Sequence, residues 1–267
     1  MDSALILSAL LMGIVEGLTE FLPISSTGHL ILLGELLGFQ APPGKVFEIC
    51  IQLGAILAVV IVFRRTLLDL ALKAWRPGPQ RYYATNLILA FLPAMVIGAT
   101  LHGTITRLLF SPFVVSVALI VGGIAIIAIE RWRPDPTIRS IPEIGPLGAL
   151  IIGFGQALAM IPGTSRSGAT IITALLLGVE RRAAAEFSFV LAIPTMVAAT
   201  AYSLFKARHE LDFSGLSLVA IGFAAAFVVA LLVVRWLMGV IARIGFTPFG
   251  WYRIALGTLM LVLLAAG

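Results

Sequence analysis

The stretch Gly13-Ile-Val-Glu-Gly-Leu-Thr-Glu-Phe-Leu-Pro-Ile-Ser-Ser-Thr-Gly-His29 decides the fold. It lies in an apolar run, 4–37, yet carries two carboxylates, a proline and a cluster of hydroxyl residues. Pro, Gly and Ser clusters end helices, and hydrocarbon cannot solvate the backbone groups so freed. Non-helical backbone at membrane depth persists only where protein or a wet cavity covers it. The segment therefore reads as re-entrant: a helix in, a polar loop near the midplane, a helix out on the same side. A second segment, 146–178, has the same character, with Gln156 and the loop Pro162-Gly-Thr-Ser-Arg-Ser-Gly168 in a run that holds no other charge.

Composition supports a membrane setting. Of 267 residues, 60% are hydrophobic and 12% charged, against about 25% charged in soluble domains. Mean hydropathy is +1.08. A soluble fold of this length has too little interior to hide so much apolar surface, and composition excludes disorder, collagen and a disulfide scaffold. The single cysteine, Cys50, permits no internal disulfide. A net charge of +5 fits cytoplasmic loops rather than nucleic-acid binding, because no soluble basic domain accompanies it. The first apolar run lacks the basic flank and cleavage site of a signal peptide and is expected to be retained. A helix needs roughly 20 residues to cross, and uncharged stretches of that order run about 85–106, 108–129, 144–165, 187–205 and 213–234. Segments 47–63 and 248–266 each add one charge, Glu48 and Arg253. Trp75, Trp132 and Trp251 suit interfacial anchoring, while His102, His209 and Cys50 carry no expected role.

A shift of 140 residues places Gly13 on Gly153, Glu16 on Gln156, Ser25 on Ser165, Ser26 on Arg166, Gly28 on Gly168 and Phe47 on Phe187. A shift of 136 places Arg107-Leu-Leu-Phe-Ser-Pro-Phe113 on Arg243-Ile-Gly-Phe-Thr-Pro-Phe249. The expectation is an all-α polytopic membrane protein, a single domain over 1–267 built of two repeats, about 1–131 and 141–267. Each repeat would hold one re-entrant pair and about three crossings, an odd number, so the second copy would be inverted. Loops 64–84, 131–145, 180–186 and 235–247 hold twelve Lys and Arg, against Lys45, Arg107, Lys206 and Arg208 on the other side. The first group is assigned to the cytoplasm. The N-terminus then lies outside, and the two loops enter from opposite faces to meet.

The chemistry follows from what the loops carry. Glu16 and Glu20 stand at i and i+4, on one helix face, and intramembrane carboxylates are functional by default. Ser25, Ser26, Thr27 and His29 follow them. The second loop offers Arg166, three hydroxyls on Thr164, Ser165 and Ser167, and the backbone of Gly168, which together form an anion cradle. Arg166 can grip phosphate oxygens with its planar fork, or pair with Glu20 until substrate arrives. Two glutamates beside a phosphate repel it unless a cation such as Mg²⁺ or Ca²⁺ intervenes. Phosphoryl transfer to water is the reaction class that joins these parts.

Glu16-Gly-Leu-Thr-Glu-Phe-Leu-Pro-Ile-Ser-Ser-Thr-Gly-His29 and Pro162-Gly-Thr-Ser-Arg-Ser-Gly168 resemble the two signatures of the bacterial undecaprenyl-diphosphate phosphatases, the bacitracin-resistance family. The likeness extends to Phe47-Glu-Ile-Cys-Ile-Gln-Leu-Gly-Ala-Ile-Leu-Ala58 and to overall length. It implies hydrolysis of undecaprenyl diphosphate to undecaprenyl phosphate and inorganic phosphate in the inner membrane, recycling the lipid carrier of peptidoglycan synthesis and lowering the target of bacitracin. By the same resemblance Glu16 and Glu20 serve metal binding and activation, Ser26 and His29 the nucleophilic step, and Arg166 the diphosphate. Ser25, Thr27, Thr164, Ser165, Ser167 and Gly168 are further substrate ligands.

Three schemes stay open: attack by Ser26 with Glu20 or His29 as base, attack by His29, or water activated by His29. Ser26 is preferred, because a hydroxyl flanked by freed backbone amides would sit against the phosphate. Since Gln156 is neutral, one catalytic site is expected rather than two. The site is expected to open to the outer, periplasmic side, where the glutamate-bearing loop enters, and a homodimer is left open. The rival class is an inverted-repeat transporter or flippase for a polyprenyl phosphate lipid. The phosphatidic-acid-phosphatase type is excluded, because residues 169–180 hold no histidine after the Ser-Arg pair.

Overall fold

The computed structural model describes residues 3–39, 46–109, 111–207 and 215–266, without the side chains of 102, 104, 106–108, 206, 207 and 266. Lys45, Arg208 and His209, and the side chains of His102, Arg107 and Lys206, lie outside the described residues.

The described chain is all-helical. It opens with two short apolar helices, α1 (Ser3–Thr19) and α2 (Ser26–Leu37). The chain leaves α1 ahead of Pro23, whose ring disfavours helical geometry in the residue before it. Ser25 then takes φ 71°, off the helical path, and α2 starts at the next residue. Gly38 closes α2 in the left-handed region, with its N–H on Glu35 O and that of Phe39 on Gly34 O.

Next come α3 (Val46–Val62) and α4 (Arg64–Lys73), bent by 75° where they join. The segment 64–84, expected as loop, is therefore partly helical. Its charges lie on a short amphipathic helix in which Lys73 pairs with Asp69 one turn away, at 2.7 Å. Two long helices follow, α5 (Pro79–Leu109) and α6 (Pro112–Trp132), the latter capped by Ser111 and started by Pro112.

The second half opens with another short pair, α7 (Pro146–Ala157) and α8 (Arg166–Leu176). The uncharged stretch 144–165 is thus not one crossing. It tightens into a single 3₁₀ turn at Leu158–Met160 and then breaks, because Pro162 and Gly163 cannot continue a helix. Three long helices complete the chain: α9 (Arg181–Ala207), α10 (Leu216–Ile244) and α11 (Thr247–Ala266).

Among the described residues five helices, α5, α6, α9, α10 and α11, are long and apolar enough to cross a membrane, and the bent α3–α4 pair makes six if counted as one span. Large apolar side chains such as Leu232, Ile88 and Val262 are more than half exposed along them. In water this would be an aggregating surface; in lipid it is the solvated one. Trp75, Trp132 and Trp251 are exposed near helix ends, as anchoring requires.

Small residues set the packing. A Cβ on Gly17 of α1 would stand 2.6 Å from the Ala226 carbonyl of α10, and one on Gly153 of α7 would stand 2.5 Å from that of Ala90 in α5. The short helix of each half therefore lies backbone to backbone on a long helix of the other, the contact that small residues permit. At one end, Arg181 pairs with Glu130, Glu180 N–H donates to Ile138 O at 2.8 Å, and Asn86 Nδ2 donates to Ile144 O at 2.5 Å. These bonds tie loops 131–145 and 178–182 and the start of α5 together.

Candidate active site

The two breaks, at 20–25 and 161–165, lie against each other. Ser167 Oγ donates to Leu22 O at 2.9 Å. Arg253 of α11, fully buried, then joins them. Its Nη1 donates to Pro23 O (3.2 Å) and Thr164 O (2.8 Å), Nη2 to Gly163 O (2.9 Å) and Ala118 O (3.0 Å), and Nε to Leu119 O (3.3 Å). A guanidinium has five N–H donors, and all five are used. Carbonyls that lipid would leave unsatisfied thus acquire partners, and one side chain fixes the spacing of the loops.

Where the breaks meet, Glu20 collects both. Ser26 Oγ, at the start of α2, donates to Glu20 Oε2 at 2.6 Å. Arg166 Nη2, at the start of α8, donates to Glu20 Oε1 at 3.4 Å, and Nη1 to Ser188 O at 3.1 Å. The guanidinium sits 5.8 Å from the centre of the Phe21 ring. Ser165 shares the positive φ of Ser25, at 70°, but its Oγ caps α8 by accepting from Gly168 N–H at 3.2 Å.

A cavity of about 520 Å³ opens onto this group. Its polar end is lined by Glu20, Ser25, Ser26, Thr27, Ser165 and Arg166, and its apolar wall by residues of α5 and α9 such as Phe91, Met95 and Met196. The shape suits an amphiphile with an anionic head and a long apolar tail.

The expected site residues divide. Glu20, Ser25, Ser26, Thr27, Ser165 and Arg166 share the cavity wall. Thr164, Ser167 and Gly168 do not line it; their polar groups hold Arg253, Leu22 and Ser165. Glu16 is buried a turn before Glu20, with Oε2 unpartnered. His29 also stands off the cavity. Its Nδ1–H donates to Ser25 O at 2.7 Å, and Nε2 accepts from the Tyr252 hydroxyl at 2.7 Å, with the two rings parallel. Cys50 is a free, half-buried thiol on α3.

Sequence reasoning missed Arg253, Gln52, Gln156 and Tyr252 as parts of the site. A lone arginine inside an apolar span was the available signal for Arg253. Gln52 and Gln156 line the cavity; both are neutral, and the sequence marks Gln156 only as the counterpart of Glu16.

Among the described residues no group of three His, Cys, Asp or Glu could hold a metal ion. Two carboxylates remain, Glu16 and Glu20, and the Glu16 oxygen lacks a protein partner. A hard cation that takes one or two carboxylates and completes its shell with phosphate and water fits this donor set.

The sequence pattern of the family described as "Bacitracin resistance protein BacA" matches residues 9–259. The chain is 57% identical over 258 residues to undecaprenyl-diphosphatase 2 of Paramagnetospirillum magneticum, covering 97% of this chain and 98% of that protein. It is 52% identical over 263 residues to an undecaprenyl-diphosphatase of Rhizorhabdus wittichii, covering 98% of each. An undecaprenyl-diphosphatase of Cereibacter sphaeroides is 49% identical over 269 residues, covering 100% of both.

Proposed function

We propose that this chain, which belongs to the bacitracin resistance protein family BacA, is a multi-pass membrane phosphatase that hydrolyses undecaprenyl diphosphate to undecaprenyl phosphate and inorganic phosphate. The observation that carries the mechanism is the arrangement of Ser26, Glu20 and Arg166, from two distant loops, at the polar end of one cavity.

The isoprenoid tail lies along the apolar wall and the diphosphate reaches the loops. Arg166 exchanges its long contact with Glu20 for phosphate oxygens, which accept its fork better than a carboxylate 3.4 Å away. Glu20, already accepting the Ser26 hydroxyl, takes its proton as Oγ attacks the terminal phosphorus. The bond from that phosphorus to the bridging oxygen breaks and undecaprenyl phosphate leaves. Glu20 gives the proton up to the departing phosphate oxygen and is a carboxylate again; it then takes a proton from the water that attacks the phosphoserine phosphorus, and returns it to Ser26 Oγ as inorganic phosphate leaves. Glu16 and Glu20 would hold Mg²⁺ or Ca²⁺, which supplies charge neutralisation between carboxylates and phosphate. His29 positions the loop: its Nδ1–H holds the Ser25 carbonyl and so the break that presents Ser26.

In this reading the domain is two inverted repeats. Support comes from the matching positive φ of Ser25 and Ser165, from α1 lying on α10 as α7 lies on α5, and from the repeat pattern in the sequence. The N-terminus lies outside and the cavity opens outward. Its wall reaches Ile105 and Ser203, at the ends of α5 and α9 remote from the basic residues Arg81, Arg181 and Arg182.

The test is phosphate release from undecaprenyl diphosphate by purified, detergent-solubilised protein, with and without chelator, beside Arg166→Ala. Metal-dependent release, lost in the variant, is expected. No release from a folded, monodisperse sample would favour lipid transport instead.

A further inference from the structure

Among the described residues, two buried donors on side chains that line this cavity have no partner. Nε of Arg166 and Nε2 of Gln156 each make no hydrogen bond, and both residues line the cavity. Gln156, near the end of α7, is only 2% exposed. The one proton of Thr195 Oγ1, on α9, is shared between Leu191 O at 2.8 Å and Gln156 Oε1 at 3.3 Å, so the oxygen end of the amide makes a single long contact. The Nε2 end is left as an idle donor. Buried polar groups normally find partners, and one left without costs stability unless a ligand supplies the bond. Two idle donors on side chains that line one cavity suit a ligand that only accepts, such as an oxyanion.

The repeat sharpens this. The counterpart of Gln156 is Glu16, whose Oε2 also lacks a partner. One half thus offers an idle acceptor, fit for a cation, and the other an idle donor, fit for the anion that cation accompanies. A carboxylate at 156 would face the phosphate with a like charge; an amide of the same shape faces it with N–H.

We infer that Gln156 is a substrate-binding residue whose side-chain amide donates to a non-bridging oxygen of the phosphoryl group held by Arg166, with Thr195 at its oxygen end. The inference rests on the phosphatase reading and adds a ligand from the second repeat.

The test compares wild type, Gln156→Leu and Gln156→Glu in detergent, measuring KM and kcat for undecaprenyl diphosphate and thermal midpoint with and without inorganic pyrophosphate. Gln156→Leu removes the idle amide. Its midpoint is expected to hold or rise, while KM rises about tenfold, the lower end for a bond to a charged group. Gln156→Glu, nearly isosteric, is expected to fold and to raise KM further. A fall in midpoint for Gln156→Leu with unchanged KM would make the amide structural and overturn the inference. So would wild-type KM in Gln156→Glu, should the leucine variant not fold. If wild type itself releases no phosphate, the phosphatase reading fails. The inference is then decided by pyrophosphate, which should raise the midpoint of wild type but not of Gln156→Glu; equal shifts would overturn it.

Discussion

Ser25 and Ser165, 140 residues apart, are the two non-glycine residues with positive φ among those described, at 71° and 70°. Each immediately precedes a helix whose first residue lines the cavity, Ser26 on α2 and Arg166 on α8. They differ in one respect. Ser165 Oγ caps its helix, whereas Ser25 makes no side-chain cap. The strain is thus offset locally at one break and not at the other.

Glycine accepts this backbone without penalty, so Ser25→Gly is expected to leave the thermal midpoint in detergent unchanged or raised. Ser165→Gly gains the same relief but loses a cap of about 1 kcal/mol and should come out level or below wild type. Valine at either position combines a branched side chain with positive φ and should cost about 1–3 kcal/mol.

Arg253→Met removes all five donors that join the breaks. Each carbonyl stranded away from water costs about 1–3 kcal/mol, so the variant should be destabilised by more than about 3 kcal/mol or fail to fold. Lysine has three donors on one point and should rescue only in part. Thermal unfolding and proteolysis near Gly163 would report both effects.

If His29 positions the loop, its replacement should lower the rate without changing which group titrates. Gln at 29 can still donate to the Ser25 carbonyl, so His29→Gln should lose about 10- to 100-fold in kcat, less than the loss of a nucleophile. The shape of its pH–rate profile should match wild type. Tyr252→Phe, which removes the hydroxyl bonded to Nε2, should show a smaller loss of the same kind. Disappearance of a titrating limb in His29→Gln would mark the imidazole as a base.

The two carboxylates make different predictions about metal. Chelation should abolish wild-type turnover, and added Mg²⁺ or Ca²⁺ should restore it. Glu16→Gln should raise the metal concentration needed, by about tenfold or more, with substrate KM at saturating metal little changed. Titration of activity with metal, variant against wild type, checks this.

Much of the fold was legible because hydrocarbon imposes one rule on every backbone group. Pro23 and Pro162, set among hydroxyls in apolar runs, could only mark covered breaks. The 140-residue register also pairs Ser25 with Ser165. What escaped was long-range or local in ways that periodicity does not encode. Arg253 bonds only to main-chain carbonyls, which leave no trace in side-chain identity. His29 lies three residues from Ser26, and nearness in sequence suggested nearness at the site; its ring turns back instead to a carbonyl one helical turn away. Segment 64–84 looked like loop because it is charged, yet Asp69 and Lys73 stand one turn apart on α4. Gln156 was noted as the neutral partner of Glu16, but that an amide there keeps an idle donor depends on Thr195, 39 residues on.

The central claim is that Ser26, activated by Glu20, attacks phosphate gripped by Arg166. Rapid quench of the protein during turnover of undecaprenyl diphosphate, in parallel samples in acid and in alkali, followed by peptide mapping of bound phosphate, tests it most directly. The account predicts acid-stable phosphate on Ser26, absent in Ser26→Ala and strongly reduced in Glu20→Gln. Acid-labile phosphate on His29, still formed in Ser26→Ala, would contradict it.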